Sequence, residues 1–177
     1  GGARLFREAK KRREDLATST RKCSIFLCLR LFDCVLTQYN MNLLEKEILD
    51  KHIIEKLIPQ KYPFVMVDKL LFFSNEKIVS GFTIRLDNLF VEGSIFTAPG
   101  ILEHMAQSVA LHTGYQYYLK QEPAPTGYLG AIKNVEFFCL PSVDSEVTTT
   151  VDILHEIMGV TLVRAETKSA GSIIARS

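Results

Sequence analysis

The sequence predicts an α+β domain in which one curved antiparallel sheet wraps around a single long helix. Residues 100–120, "GILEHMAQSVALHTGYQYYLK", are largely apolar and lack proline, which predicts the helix. A hairpin pattern precedes it, and at least three runs with strand-like alternation follow it. Strands on both sides of one long helix are typical of a two-layer domain with the helix against the sheet.

Composition restricts the domain count and the class of partner. The chain has 177 residues and is 47% hydrophobic, enough for one core. Its net charge of +1 gives no general reason to expect nucleic acid as a partner. Residues 1–40 hold nine Lys/Arg against four Asp/Glu, whereas residues 41–177 hold twelve against sixteen. We therefore expect residues 1–40 to be an N-terminal extension, a tag remnant or upstream sequence, and residues 41–177 to be the domain.

The apolar run "CSIFLCLRLFDCVL" is interrupted by Arg30 and Asp33 and is shorter than the ~20 residues that a spanning helix needs. No membrane insertion is predicted. The cysteines show no C-x-x-C spacing and no companion histidines, so neither a zinc site nor a disulfide framework is expected. A reducing, cytoplasmic location is the interpretation. The four cysteines are Cys23, Cys28, Cys34 and Cys139.

The first half of the domain predicts a helix and a hairpin. Five apolar residues at helix-compatible spacing indicate a short amphipathic helix that ends at Pro59 and lies on the sheet. The run "YPFVMVDKLLFF", the turn "SNEK" and the run "IVSGFTI" then predict two paired strands. Residues 85–100 mix polar and large apolar side chains, as a partly buried loop does. The apolar helix residues are Leu44, Ile48, Ile53, Ile54 and Leu57.

In the second half, a wide apolar stripe predicts that the long helix is buried on most sides. The segment "QEPAPTGY" breaks it through two prolines. Strands should follow, with turns at "PSVDSE", near Met158 and Gly159, and at "SAGS". The stripe consists of Ile101, Leu102, Met105, Val109, Leu111 and His112.

Three segments together resemble the 3-hydroxyacyl-[acyl carrier protein] dehydratases, a hot-dog-fold family. "PQKYPFVMVD" is similar to the family's "P-H-R-Y-P-F-L-L-V-D", and "PGILEHMAQ" is similar to its "P-G-V-L…E-A-M-A-Q". "YLGAIKNVEFFCLPSVDSEV" matches its strand-turn-strand after the central helix. There is also a likeness to the divergent branch attached to aryl-polyene and flexirubin pigment synthesis. The resemblance covers most of residues 43–177 and implies a cofactor-free lyase of fatty-acid or polyene biosynthesis.

Two departures from the family matter. Gln60 stands where the family keeps its catalytic histidine. The loop "FVEGSIFTAPG" is shorter than the family's equivalent, so the substrate length does not carry over.

The resemblance also assigns expected site residues. Gly100 matches the start of the central helix, where backbone N–H groups polarise the thioester carbonyl; a glycine needed only for the turn is the alternative. Glu103 matches the family's carboxylate and is the expected acid or base, unless it only stabilises the helix N-terminus. Gln60 either holds a substrate hydroxyl or a water or is a solvated corner residue. Gln107, on the face of Glu103, either positions that carboxylate or makes a helix contact.

The remaining polar and aromatic candidates have lesser roles. His104 follows Glu103 directly and so points in another direction, which makes it a poor replacement for the missing histidine. Asp68 is expected to end a strand, and His52, His112 and His155 to be structural. The aromatic residues expected to line the core or the substrate tunnel are Tyr62, Phe64, Phe90 and Phe96.

Three functions remain open: a dehydratase run by Glu103 alone, a thioester hydrolase in which Glu103 activates water, and a non-catalytic partner subunit of an active dehydratase. The family pairs two sheets, so we expect a homodimer or a higher oligomer in which Gln60 and Glu103 meet across the interface. The thioester is carried by acyl carrier protein or by coenzyme A. Basic residues near the mouth, Lys61 and Lys133, with Lys69 and Arg85, are candidates for docking an acidic carrier; scattered surface lysines are the alternative.

Overall fold

The computed structural model describes residues 41–177, and the predicted N-terminal extension lies outside them. Within residues 41–177, two helices and eight strands follow the predicted α+β order, with a short helix and a hairpin before the long helix and a three-strand meander after it. Six strands form one antiparallel sheet in the order β1-β2-β6-β7-β8-β5, and β3 and β4 form a small hairpin. The elements are α1 (Lys51–Leu57), β1 (Lys69–Phe73), β2 (Lys77–Thr83), β3 (Val91–Glu92), β4 (Ile95–Phe96), α2 (Ala98–Lys120), β5 (Glu136–Phe137), β6 (Glu146–Ile157), β7 (Val160–Ser169) and β8 (Ser172–Arg176).

The predicted hairpin and the three-strand meander are present in the sheet. β1 and β2 pair across the "SNEK" turn, and β2 pairs with β6 from Lys77↔Asp152 to Thr83↔Glu146. β6 and β7 turn at Met158 and Gly159, whose φ values are 53° and 78°. These tight turns fix the register, so the apolar side chains of alternate strand residues lie on the face that α2 covers.

The long helix α2 lies in the middle of the domain, as predicted. Its buried residues recur from Gly100 to Tyr115, and they include polar ones, namely His104, Gln107, Ser108 and His112. Two of these bond to the β1–β2 hairpin: Ser108 pairs with Ser80 of β2, Oγ to Oγ, at 2.6 Å, and the His112 Nε2 atom lies 2.9 Å from the carbonyl oxygen of Ser74 in the turn. Buried polar groups that find partners in this way fix the helix against the sheet.

The prediction of one helix from Leu44 to Leu57 is wrong in its first half. Only Lys51–Leu57 is helical, and Asp50 caps it by accepting a hydrogen bond from the His52 N–H at 2.8 Å. Upstream, Ile48 bridges to Leu70 at the edge of β1. The backbone groups at that sheet edge need partners, and residues 43–48 supply them instead of forming a helical turn.

The first predicted strand is shorter than its sequence suggests. "YPFVMVDKLLFF" contributes only Lys69–Phe73 to the sheet. Residues 62–64 form a turn in which the Phe64 N–H donates to the Lys61 carbonyl at 2.9 Å, and residues 65–68 connect this turn to β1. Asp68 therefore precedes a strand rather than ending one, and its Oδ2 atom accepts a hydrogen bond from the Thr83 N–H at 3.0 Å. No helix within residues 41–177 is long and apolar enough to cross a membrane.

Candidate active site on the central helix

Glu103 lies on the second turn of α2 and is half-buried. One of its carboxylate oxygens, Oε1, accepts a hydrogen bond of 2.7 Å from the side-chain amide of Gln107. The two residues are four apart, so they lie on the same helix face, as the sequence predicted. This bond holds the carboxylate in one orientation.

Gln107 is fully buried and is itself held by the backbone of residues 64–66, which precede β1. Its Oε1 atom accepts a hydrogen bond from the Met66 N–H at 2.7 Å, and its Nε2 atom donates to the Phe64 carbonyl at 2.5 Å. The backbone of residues 64–66 therefore finds on α2 the partners that a neighbouring strand would otherwise provide. Glu103, Gln107 and this segment form one hydrogen-bonded unit.

His104 completes the attachment of the same segment from the next position of the helix. Its Nδ1 atom lies 2.6 Å from the Met66 carbonyl oxygen, and the side chain is fully buried. Burial lowers the pKa of His104 to about 4, so the ring is neutral near pH 7. A neutral imidazole carries one ring proton, which here must be on Nδ1 because a carbonyl oxygen only accepts. That proton is committed to Met66.

The start of α2 offers backbone donors. Thr97 is the N-cap but makes no side-chain cap bond, because its hydroxyl donates to the Phe90 carbonyl at 2.9 Å. Pro99 has no N–H, and the first residue to bond back is Ile101, to Thr97 at 3.1 Å. The N–H groups of residues 98 and 100 thus remain without a side-chain cap within the described chain, and the helix dipole favours negative charge there.

Gly100 is buried between two aromatic residues. A Cβ atom at this position would come within 2.6 Å of the Phe96 ring and 2.7 Å of the Phe90 Cβ atom. Both contacts are shorter than real Cβ atoms make, so packing alone requires a glycine here. Gly100, Glu103 and Gln107 succeed one another along one face of the helix, which brings three of the predicted site residues together.

Gln60 is not part of this cluster in the single chain. Among the described residues no hydrogen bond joins it to Glu103, and its buried Oε1 atom has no partner there. The adjacent Lys61 folds back onto the end of α1, where its ammonium donates to the carbonyls of Ile58, at 2.9 Å, and Glu55. The Lys61 ammonium thus caps the C-terminal end of α1 by donating to its last carbonyl groups.

The predicted aromatic lining divides into two pairs. Phe96 is fully buried and Phe90 is half-buried, both against Gly100. In contrast, Tyr62 and Phe64 are 75% and 52% exposed on the described chain, so they are not part of its core, and their place in the wall of a substrate tunnel stays a prediction. Both residues belong to the turn that precedes β1, and the Phe64 carbonyl is the group that accepts from Gln107.

The other candidate residues lie apart from the cluster. Lys133 is exposed on residues 121–134. Lys69 is paired with Glu146, and Arg85 lies 3.7 Å from Asp144. Within residues 41–177 no group of three or more histidine, cysteine, aspartate or glutamate side chains is placed to hold a metal ion.

Comparison with known proteins agrees with this architecture. The family model described as ApeP-like, ApeP dehydratase, matches residues 52–172. The chain belongs to the ApeP-like dehydratase family. It is 29% identical over 140 residues to the 3-hydroxyacyl-[acyl-carrier-protein] dehydratase FabZ of Proteus mirabilis, covering 76% of this chain and 89% of that protein. The FabZ of Actinobacillus pleuropneumoniae is 28% identical over 123 residues, 66% of this chain and 79% of that one.

Solved structures confirm the hot-dog fold. The dehydratase heterocomplex ApeI:P from Xenorhabdus doucetiae superposes with a TM-score of 0.58 at 16% identity, covering 70% of this chain and 86% of that one. The E. coli PaaI protein from the phenylacetic acid degradation operon gives a TM-score of 0.50 at 11% identity, over 60% of this chain and 76% of that one. At these identities the superpositions establish the fold but not the reaction, which has to be argued from the residues of the site.

Sequence reasoning missed the residues that hold Glu103 through Gln107. These are the Met66 N–H and the Phe64 carbonyl, both of them backbone groups. The two motifs that contain them were visible in the sequence. No side-chain pattern, however, indicates that one motif bonds to the other.

Proposed function

We propose that the chain catalyses the dehydration of a 3-hydroxyacyl thioester carried by acyl carrier protein, with Glu103 as the acid or base. Membership of a dehydratase family supports the reaction class. The observation that carries the proposal is the Glu103 carboxylate, half-buried, fixed by Gln107 and one turn from the uncapped N–H groups at the start of α2. A carboxylate next to donors for a developing oxyanion is what proton abstraction beside a thioester carbonyl requires.

In this mechanism the α C–H bond breaks and its electron pair forms the C=C bond while the bond from the β carbon to the hydroxyl oxygen breaks. The hydroxyl takes up one proton and leaves as water, so protons balance overall. The N–H groups of residues 98 and 100 stabilise the negative charge on the thioester oxygen. Gln60 does not titrate, so its role is to hold the substrate hydroxyl by a hydrogen bond from its side-chain amide.

A second chain supplies the Gln60 side of the site in this proposal. β5 pairs with β8 on one side only, and the chain around it exposes large apolar side chains, with Tyr128 91% and Leu129 65% exposed. Such an edge invites pairing with another sheet. We expect a homodimer in which Gln60 of one subunit lies opposite Glu103 of the other, and a monodisperse monomer in solution scattering would contradict it.

A second candidate function is that of a partner subunit for a histidine-bearing dehydratase. Gln60 favours it, because glutamine at the family's histidine position removes one proton-transfer group, which is worth ~10²–10⁴ in rate. The similar structure from Xenorhabdus doucetiae is described as a heterocomplex. In this case the chain alone gives neither the dehydration product nor free thiol, and activity appears on mixing with a histidine-bearing homologue.

The test compares the full chain with Glu103→Gln on 3-hydroxyacyl thioesters of increasing length, on both carrier protein and coenzyme A. Dehydration gives the absorbance of an α,β-unsaturated thioester without free thiol, whereas a hydrolase releases thiol. We expect Glu103→Gln to lose ~10²–10⁴ in rate. The exposed Glu122→Gln is the matched control, and it should behave as wild type. Equal activity of Glu103→Gln and wild type, alone and in the mixed complex, would refute the role of Glu103.

A further inference from the structure

The orientation of the Gln107 amide is determined by its surroundings. The Met66 N–H can only donate, so the amide atom that faces it at 2.7 Å must be the carbonyl oxygen. The Phe64 carbonyl can only accept, so the atom 2.5 Å from it must be the amide nitrogen. Reversing the amide would place donor against donor and acceptor against acceptor. Gln107 is fully buried, so water does not relieve that conflict.

Both hydrogens of the Gln107 amide are therefore assigned. One goes to the Phe64 carbonyl and the other to Glu103 Oε1, at 2.7 Å. A hydrogen bond to a carboxylate oxygen stabilises its unprotonated form, so the proton goes preferentially to the other oxygen, Oε2. The Met66 carbonyl is held by His104 at the same time, so the segment that fixes Gln107 is bonded through both of its Met66 backbone groups.

We infer that Gln107 is a positioning residue that decides which Glu103 oxygen exchanges the proton. Oε1 is kept as an acceptor and Oε2 transfers the proton. This inference rests on the proposed role of Glu103. It adds that the residues 64–66, through Gln107, set the direction from which Glu103 meets the substrate.

The near-isosteric Gln107→Glu tests the inference. Its carboxylate still accepts from the Met66 N–H but has no hydrogens for Glu103 or Phe64. Two carboxylates at this distance share a proton, because both do not ionise together in a buried site. We expect the acidic limb of the pH dependence of kcat to move up by about one pH unit or more and kcat at neutral pH to fall at least about tenfold, with KM changing by less than about twofold.

Ser108→Ala is the matched control. It also removes a buried hydrogen bond from α2, but the bonds of Ser108 go to Ser80 and to the His104 carbonyl, not to Glu103. We expect its melting temperature to fall while its pH profile stays as in wild type. A Gln107→Glu variant with the wild-type pH profile, or a Ser108→Ala variant with the same shift, would overturn the inference.

A second measurement uses the wild-type chain and does not depend on the folding of a variant. The side-chain amide ¹⁵N and ¹H signals of Gln107 should titrate with the midpoint of the acidic limb, and Glu103→Gln should abolish that titration. Amide signals that do not respond to pH in wild type would overturn the inference. Loss of activity in Glu103→Gln together with a silent Gln107 amide refutes the positioning role alone, whereas an active Glu103→Gln refutes the proposed function.

Discussion

Replacing Gly114 by alanine should destabilise the domain through one contact between the two helices. A Cβ atom at Gly114 would lie 1.7 Å from the Leu57 carbonyl oxygen and 2.8 Å from its carbonyl carbon. Ordinary contacts of a Cβ atom begin at 3.4 Å. The obstacle is backbone rather than a mobile side chain, so α1 and α2 must separate by roughly 1.5 Å or more.

The magnitude follows from opposing effects. Alanine is favoured over glycine inside a helix by ~1 kcal/mol. Overpacking of a core costs ~1–3 kcal/mol. Displacing α1 also uncovers Ile54 and Leu57, which are 0% and 6% exposed; full exposure of each would cost ~1.5–3 kcal/mol, and partial exposure a fraction of that. The net loss in the free energy of unfolding should be about 3 kcal/mol, opposite in sign to the propensity effect alone.

Urea unfolding followed by circular dichroism measures this loss. Gly127→Ala is the control, because a Cβ atom there meets nothing within 4 Å among the described residues, and its stability should change by less than about 0.5 kcal/mol. A Gly114→Ala protein as stable as wild type, or more stable, would show that the two helices do not approach as closely as the structure has them.

Two further predictions concern His104 and Gln60. Burial lowers the pKa of His104 from 6.5 to about 4, and burial lowers that of His112 as well; the unfolded chain therefore binds more protons between these values. The contribution of neutral His104 to the free energy of unfolding should be fully present above pH 6.5. It should fall by about 3 kcal/mol as pH drops towards 4. Urea midpoints at several pH values check this, and a His104→Gln protein with an unchanged pH slope would contradict it. Gln60→Ala should lower activity in a homodimer but leave activity unchanged where a histidine-bearing partner faces Glu103, which turnover assays of the two assemblies distinguish.

The parts of the fold that the sequence predicted correctly have local signals. Residues 100–120 lack proline, "SNEK" separates two β-rich runs, and Met158 and Gly159 mark the β6–β7 turn. The failures have long-range causes. Ile48 has helical spacing relative to its neighbours, but its backbone pairs with Leu70, which no local pattern indicates. Residues 64–66 have strand composition, but their partners are helix side chains.

The candidate site also has a part that the sequence predicted and a part that it did not. The motif resemblance selected Gly100, Glu103 and Gln107 as site residues. Helix periodicity then predicts that they lie on one face of α2. The resemblance did not reveal what fixes Glu103, since the decisive groups are the Met66 N–H and the Phe64 carbonyl and every residue but proline carries both. The packing requirement at Gly100 depends on where the loop before α2 places Phe90 and Phe96, and the sequence does not specify those positions.

The contrast between Glu103 and Gln60 indicates how the site is completed. Glu103 is prepared within its own chain, because Gln107 and the segment before β1 hold it before any substrate arrives. Gln60 has a buried acceptor without a partner among residues 41–177, and the neighbouring Tyr62 and Phe64 are exposed although large and apolar. Exposed aromatic side chains of this size are typical of a surface that another chain covers. In the proposed homodimer, the fold of one chain therefore fixes the Glu103 carboxylate, and the opposing subunit covers Tyr62 and Phe64 beside Gln60.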